Sequence, residues 1–293
     1  MNNSAKTFNN LPDLISFFTQ LTQSWKNNYV FRGYSSDQQM VPRLIRKYSI
    51  KDEIPLLSDF EKYALSYINN IISPLDLLAY GQHFGLPTRL LDFTYNPYIA
   101  LYFAFYHDSQ EDDYRYIRYC DLNENVHFNN LPLTNNISGL NSTNVSLAKD
   151  YGKMIEYLER SVYDNSKQRG MDMLSFYDDT QNVLTRNLTA EEATNSFASI
   201  SRQKLFNKKL LFIEPSLSNP RIVLQQGLFL FPYITDREEL TEMINKNTTV
   251  IRINKSLRKD ILDYLDIIGV NTFKIMPDLP SICSEIIRRY KVY

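Results

Sequence analysis

A chain of 293 residues is long enough for one large domain or two modest ones with a substantial core. Its hydrophobic content of 43% and charged content of 22% are ordinary for a globular protein and exclude wholesale disorder. The 32 basic and 33 acidic side chains give a formal charge of -1, which argues against a surface that binds nucleic acid throughout but permits a local basic site.

Several common kinds of site are excluded by composition. With two cysteines and three histidines the chain has too few ligands for a disulfide framework or a zinc finger, so we expect no metal site and a reducing intracellular compartment. The phosphate-loop patterns GxGxxG and GxxxxGKS/T are absent. No signal peptide is visible and no apolar run approaches the ~20 residues that cross a bilayer, so we expect a cytoplasmic protein without a membrane partner.

Hydrophobic periodicity divides the first 106 residues into helices and strands. The pattern predicts helices over residues 11–25, 55–72, 75–84 and 97–106, and strands over 29–34 and 88–94. Asn96 is suited to cap the helix at 97–106. Because that helix is apolar nearly all round, we expect it to be buried.

Composition changes in the middle of the chain, where residues 107–201 are rich in Asn, Asp and Ser. We interpret this segment as a variable, partly helical insertion between an N-terminal part (1–106) and a C-terminal part (202–293) of one domain. Predicted strands lie at 114–119, 209–214, 221–231 and 249–253, and predicted helices at 147–160, 256–268 and 281–290. The mixed order favours an α+β fold with a central mixed or antiparallel sheet and flanking helices.

Arg32 lies in the predicted strand at 29–34, among aromatic and aliphatic residues. An unpaired buried guanidinium costs several kcal/mol, so this side chain needs a partner. The partner is either a carboxylate of the protein, with Asp92 on an adjacent strand as the candidate, or a phosphate or other anionic ligand. Gly33, next in the strand, permits a close backbone approach or a turn.

A dense polar stretch covers residues 82–97 and ends at a predicted helix N-terminus, where an anion is favoured. On a straight strand Thr88 and Asp92 share one face and Arg89 lies on the other, so Arg89 and Asp92 do not pair with each other. Arg89 then bonds either a ligand or backbone carbonyls. His83 is either a general base or ligand donor, or a helix-end residue satisfied by the backbone.

A third polar cluster contains Arg221, Gln225 and Gln226, and precedes Gly227. If the predicted strand is regular, Arg221 and Gln225 share a face. The two glutamines either form hydrogen bonds with an amide or a ribose hydroxyl of a ligand, or they bridge neighbouring strands.

The three clusters together resemble the FRG domain family, whose name-giving motif stands here at residues 31–33. The strongest similarity is the string QHFGLPTRLLDFT at residues 82–94, which continues through the Asn-Pro pair and the apolar residues 100–104. Residues 221–229 resemble the family's Arg-containing strand that reaches a Gln and a Gly, and residues 277–279 resemble its closing motif. The resemblance covers most of the chain outside the insertion.

The order of these motifs is similar to that of ADP-ribosyltransferase folds, which use an arginine or histidine on a first strand, a Ser/Thr on a second and a glutamate on a third. The resemblance implies that Arg32 holds a phosphate or the nicotinamide ribose of NAD. It also implies that Thr88 and Thr94 occupy the second-strand position and that Tyr34 or Tyr95 stacks on nicotinamide.

The third-strand position is where this chain departs from the pattern. It holds Gln225 and Gln226 without a glutamate, and the nearest alternative carboxylate is Glu214. Because a carboxylate stabilises the oxocarbenium-like transition state of N-glycoside cleavage, NAD binding without NAD turnover is a separate possibility. The candidate catalytic residues are Arg32, His83, Thr94, Glu214 and Gln225. The candidate ligand-binding residues are Gly33, Tyr34, Arg43, Gln82, Thr88, Arg89, Asp92, Tyr95, Asn96, Arg221 and Gln226.

Three functions follow from the sequence. The first is a transferase or glycohydrolase that acts on NAD, such as a bacterial toxin or phage-defence effector, with a protein or nucleic acid as acceptor. The second is a non-catalytic module that binds a nucleotide, a nucleic acid or a protein phosphate through its arginines. The third is a buried polar network that only holds the core, in which loss of Arg32 or Asp92 unfolds the protein.

Overall fold

The computed structural model describes residues 5–23, 28–36, 40–64, 66–67, 74–106, 112–129, 210–214 and 220–290. Within these ranges eight strands form one mixed sheet. They are β1 (Lys6–Phe8), β2 (Tyr29–Tyr34), β3 (Leu91–Thr94), β4 (Tyr114–Asp121), β5 (Val126–Asn129), β6 (Leu211–Glu214), β7 (Gly227–Leu230) and β8 (Thr249–Asn254). Their spatial order is β1-β8-β4-β2-β3-β7-β6-β5, with parallel pairing only between β1 and β8 and between β5 and β6.

Helices pack against this sheet in two hydrophobic clusters. The described helices are α1 (Leu11–Thr22), α2 (Arg43–Lys47), α3 (Glu53–Ala64), α4 (Pro74–His83), α5 (Pro97–Tyr106), α6 (Pro220–Leu224), α7 (Arg237–Asn247), α8 (Arg258–Ile267), α9 (Thr272–Ile275) and α10 (Leu279–Tyr290). One cluster joins α1, α5 and α8, and the other joins α3, α4 and α7. Over the described part of the chain, no helix combines the length and apolarity that a membrane span needs.

The predicted α+β class with flanking helices is confirmed, and most predicted elements are found. The strands expected at 29–34, 114–119, 209–214 and 249–253 correspond to β2, β4, β6 and β8, and the buried helix expected at 97–106 is α5. The sequence pattern did not predict β1 or β5, which are only three and four residues long. Because β4 and β5 come from the segment assigned to the insertion, residues 114–129 contribute to the sheet. The helix predicted at 147–160 lies outside the described residues.

The strand predicted over residues 221–231 is wrong at its beginning. Pro220–Leu224 form the helix α6, and the strand covers only Gly227–Leu230. Proline suits the first helical position, and Gln226 then adopts a left-handed φ of 47°, which ends the helical turn. The Gln225 amide donates to the Arg221 carbonyl over 2.9 Å, so these residues are one helical turn apart and do not share a strand face.

Other boundaries differ by a few residues. β3 begins at Leu91, so Thr88 and Arg89 lie in the loop before the strand and not on it. The Thr88 hydroxyl accepts the Leu90 amide over 3.3 Å, a local bond typical of a turn. α1 ends at Thr22 and α3 at Ala64, earlier than predicted.

β2 and β3 are neighbours in the middle of the sheet, but they pair at one position only, Phe31 with Thr94. By contrast, β2 pairs with β4 at six positions and β3 with β7 at four. The two strands therefore separate beyond Phe31, and a cleft forms between them.

Gly33 is required by the approach of α5 to β2. A Cβ atom at this position would lie 1.7 Å from the carbonyl oxygen of Ala100 and 2.9 Å from the amide nitrogen of Ala104. The predicted close backbone approach is thus confirmed, and it brings α5 against the strand that carries Arg32.

Replacing Gly33 by alanine should lower the free energy of unfolding by about 3 kcal/mol or more, because the clash is with main chain that cannot rotate away. Urea unfolding would measure the loss. Gly227→Ala is the matched control, since a Cβ there would lie 3.5 Å from the nearest atom, the Ile222 carbonyl oxygen. Equal unfolding midpoints for the two variants would contradict this explanation of Gly33.

Candidate functional site

The three predicted polar clusters meet around one cavity of about 280 Å³, here called the main cleft. It lies where β2 and β3 separate, between the end of α4, the face of α5 and the helix α6. Its polar lining residues are Arg32, Gln82, His83, Asp92, Thr94, Arg221 and Gln225. Its apolar wall includes Phe31, Phe93, Phe103 and Phe229. The convergence of stretches that are far apart in the sequence, expected from their resemblance to one family, is therefore present in the fold.

Arg32 crosses the gap between the two strands. Its Nη1 atom donates to the main-chain carbonyl of Asp92 over 2.7 Å and lies 3.9 Å from Oδ2 of the same residue. The Arg32 side chain is 15% exposed and that of Asp92 65%. Burial lowers the pKa of Arg32, while the charge of Asp92 raises it. Asp92 is thus the protein partner that the sequence suggested, and Arg32 also lines the main cleft.

Gln82 fixes the orientation of Asp92. Its Nε2 atom donates to Asp92 Oδ1 over 2.7 Å, and its Oε1 atom accepts the Thr88 hydroxyl. A side-chain amide that donates on one side and accepts on the other has a single preferred orientation. The chain of bonds Thr88–Gln82–Asp92–Arg32 therefore connects the loop before β3 to the guanidinium in the cleft.

His83 is the last residue of α4, and its partner is a side chain rather than the backbone. Its Nδ1 atom lies 3.3 Å from Nη1 of Arg221, which in turn lies 3.7 Å from Oδ2 of Asp278. Burial, and then the charge of Arg221, lower the pKa of His83. Since Arg221 can only donate, Nδ1 accepts and the ring proton of the neutral imidazole belongs on Nε2. Asp278 belongs to the segment 277–279 that resembles the closing motif of the FRG family.

Thr94 and Gln225 line the main cleft, but their bonds are structural. The Thr94 hydroxyl donates to the Gln225 carbonyl over 2.7 Å and accepts the Asn96 amide over 3.0 Å. The Gln225 side chain donates to the carbonyl of Ile275 over 3.0 Å. Thr94 thereby connects the turn after α6 to the start of α5, where Asn96 caps the helix by accepting the Tyr98 amide.

Arg89, predicted to bind a ligand or backbone carbonyls, lies outside the main cleft in a buried ion pair. Both Arg89 and Glu53 have side chains that are 2% exposed. The Arg89 Nε atom donates to Glu53 Oε2 over 2.7 Å, and the guanidinium lies 5.5 Å from the ring centre of Phe231. The partner shown here is a carboxylate of α3, which the sequence analysis had not connected with Arg89.

The predicted aromatic stackers also lie outside the residues that line the main cleft. Tyr34 is buried against Tyr116, with ring centroids 5.4 Å apart, and its hydroxyl accepts Arg118 Nε over 3.0 Å. The Tyr95 hydroxyl donates to Glu214, and burial raises the pKa of that hydroxyl. These rings contribute to the packing around the site.

Glu214 and Gln226, two candidates for the third-strand position, are likewise outside the cleft lining. Glu214 Oε1 lies 3.2 Å from Nε2 of His127, whose hydrogen bond lowers the pKa of the carboxyl group. Gln226 is exposed, and its carbonyl accepts the Tyr95 amide over 3.0 Å. Among the described residues that line the main cleft, Asp92 is the one carboxylate.

Phe103 is a cleft residue that the sequence analysis missed. It lies on α5, three residues after Ala100, and is half-buried in a helix whose other residues are mostly buried. Because α5 is apolar on all sides, hydrophobic periodicity does not distinguish Phe103 from the buried residues of the helix. The small residues Ala100 and Ala104 could have indicated it, because they mark the helix face that approaches Gly33 and Phe103 lies between them.

Replacing Glu53 by glutamine should destabilise the protein by about 3–5 kcal/mol, because Arg89 would keep its charge in a buried position. Urea unfolding would measure the change. Asp59→Asn on the same helix removes an exposed pair with Lys62 and should leave the unfolding midpoint unchanged. An equally small effect at both positions would mean that Arg89 is not held by Glu53.

His83 should titrate below its ordinary pKa of 6.5 when its ring protons are followed by NMR. Because its folded-state pKa is lowered, its contribution to stability is present above 6.5 and is lost as the pH falls through the folded value. Arg221→Gln should raise this pKa by removing a nearby cation, and His83→Gln assigns the resonance. A midpoint at or above 6.5 in the unmodified protein would contradict the buried, Arg221-bonded imidazole.

Comparison with known proteins identifies one family. The model of the FRG domain matches residues 27–113, which include β2, α4, β3 and α5. No curated protein and no solved structure matches the chain. The matched segment carries the residues 31–33 and 82–94 on which the family resemblance was based, and the resemblance is confirmed there. Residues 27–113 of this chain therefore match the FRG domain.

Proposed function

We propose that the main cleft binds a nucleotide through its phosphates and that NAD is this nucleotide. The observation that carries the proposal is the position of Arg32, whose guanidinium lines a cavity while its Nη1 atom is bonded to Asp92. A guanidinium presents five donors in a planar fork, a geometry that suits bidentate binding of a phosphate.

A second cation and aromatic side chains support a nucleotide ligand. Arg221 lines the same cleft beside the neutral ring of His83. Phe103 and Phe229 supply apolar ring surface of the kind on which a base or nicotinamide stacks. Pockets for small molecules typically combine such apolar walls with a few charged groups that fix orientation.

The sheet order supports the likeness to ADP-ribosyltransferase folds. β2 carries Arg32, its neighbour β3 carries Thr94, and the next strand β7 begins directly after Gln225 and Gln226. The resemblance requires these three positions to meet at one site. Their adjacency, together with the register pairs Phe31–Thr94 and Thr94–Gly227, favours NAD over an unrelated anion.

Cleavage of NAD is the second candidate function, and Asp92 is the observation that favours it. In this reaction the bond between C1′ of the nicotinamide ribose and the ring nitrogen breaks, and its electron pair leaves with neutral nicotinamide. Water or an acceptor hydroxyl adds to C1′ and loses its proton. A carboxylate beside the ribose stabilises the positive charge that develops on C1′. Asp92 is oriented by Gln82, is 65% exposed and lines the main cleft, so it is our candidate for this role.

Isothermal titration with NAD tests the binding proposal. Arg32→Lys keeps the charge but removes the fork, and we expect at least about tenfold weaker binding, because hydrogen bonds to charged groups contribute roughly 1.5–3 kcal/mol. Arg252→Lys is the matched control, since Arg252 is exposed on β8 and does not line the main cleft. Release of nicotinamide by the wild type and its loss in Asp92→Asn would support cleavage.

Two outcomes would contradict these assignments. Equal NAD affinity in Arg32→Lys and Arg252→Lys would remove Arg32 from the binding site. Binding of NAD without nicotinamide release would leave a nucleotide-binding module. Urea unfolding of Arg32→Lys tests the remaining hypothesis, in which the polar network only holds the core. If Arg32 is purely structural, the substitution should lower the stability of the protein and leave its affinity for NAD unchanged.

A further inference from the structure

A second cavity of about 270 Å³ meets the main cleft at the Arg32–Asp92 contact. Both cavities are lined by Arg32, Gln82 and Asp92. The second cavity is also lined by Arg43 and Arg46 from α2, and by the loop that leads from α4 to β3. Arg32 is therefore shared by two cavities that differ in their other walls.

The second cavity concentrates positive charge in a protein whose total charge is almost balanced. Its described lining contains three arginines and one acid, Asp92, which Gln82 and Arg32 already engage. Burial lowers the pKa of Arg46, and the charges of Arg43 and Arg237 act in the same direction. The charge of Arg46 also lowers the pKa of Arg32. These guanidiniums are thus close enough to repel one another, and an anion between them would relieve that repulsion.

Main-chain bonds hold the arginines of α2 in place. Arg43 and Arg46 are three residues apart, so they project from neighbouring positions on one side of the helix. Arg43 Nη1 donates to the carbonyl of Gly85 over 3.1 Å, and the Leu44 amide donates to the carbonyl of Thr88 over 3.3 Å. Leu44 itself is fully buried. α2 is therefore fixed to the loop before β3, and its arginines are directed by the packing of that loop.

We propose that the second cavity is a phosphate-binding site formed by Arg43, Arg46 and Arg32. Three guanidiniums from two elements can surround the oxygens of one phosphate, and arginine binds phosphate bidentately. The Thr88 hydroxyl and the Gln82 amide, which also line the cavity, add polar surface on the side facing β3. The site goes beyond NAD binding in the main cleft, and its phosphate belongs either to the same nucleotide or to a separate phosphorylated ligand.

Isothermal titration with inorganic pyrophosphate tests the site directly. We expect the wild type to bind pyrophosphate, with an affinity that falls as the salt concentration rises. Arg46→Gln should weaken this binding at least about tenfold, because Arg46 lines the second cavity and not the main cleft. Arg43→Gln combined with Arg46→Gln should abolish it. The control Arg252→Gln removes an exposed arginine elsewhere and should bind as the wild type does.

The origin of the phosphate is decided by repeating the titration with saturating NAD. If NAD prevents pyrophosphate binding and Arg46→Gln also weakens NAD, the nucleotide's own phosphates occupy the second cavity. If both ligands bind together, the cavity takes a separate phosphorylated ligand. Pyrophosphate binding that depends on Arg46 in a protein that does not bind NAD would support this site and overturn the function proposed for the main cleft. Equal pyrophosphate affinity in the double variant and the wild type, or no binding by the wild type, would overturn the site.

Discussion

The incomplete pairing of β2 with β3 is the constraint on which the site depends. Two central strands that pair only at Phe31 and Thr94 leave a gap in the middle of the sheet, and the Arg32 side chain crosses it to reach the main chain of Asp92. The guanidinium connects the two strands by a hydrogen bond where their main chains do not pair, and it also lines a cavity. The same bond thus contributes to the fold and holds a cation at the wall of the main cleft.

Adjacent residues of β2 perform different tasks because strand side chains alternate between faces. Phe31 packs in the cluster formed by α1, α5 and α8, and Gly33 admits the backbone of α5 on the same side. Arg32 lies between them in sequence and lines both cavities. A larger residue at position 33 would push α5, and with it Phe103, away from the strand. The shape of the main cleft therefore depends on the absence of a side chain at position 33.

The polar residues of the FRG domain divide into two networks with different surroundings. Arg89 and Glu53 are both almost fully buried, so their pairing contributes to stability and has no access to a ligand. Arg32 and Asp92 are partly exposed at a cavity, and Asp92 is oriented by Gln82. Similar residue types in one stretch of sequence thus have separate roles, and the difference is exposure. His83 belongs to the segment that the family model matches, whereas its partner Arg221 lies outside that segment.

The sequence by itself determined the elements whose signals are local. Alternation and helical periodicity predicted β2, β4, β8 and α5, the Asn96 cap was correct, and the string at residues 82–94 identified the family. It also grouped Arg32, Asp92, Gln225 and Arg221 as one site by resemblance. Local patterns were less informative where apolar residues suit both helix and strand, as at residues 221–226, which form a helical turn ended by a left-handed Gln226.

Only the tertiary structure decided which charged groups meet. Arg89 binds Glu53, 36 positions earlier in the chain, and His83 binds Arg221, 138 positions later. No periodicity carries such information, because these contacts depend on how helices pack on the sheet and not on the spacing along one element. For the same reason only the tertiary structure showed that Phe103, in an apolar helix, lines the main cleft. It also showed that Arg32 lines two cavities.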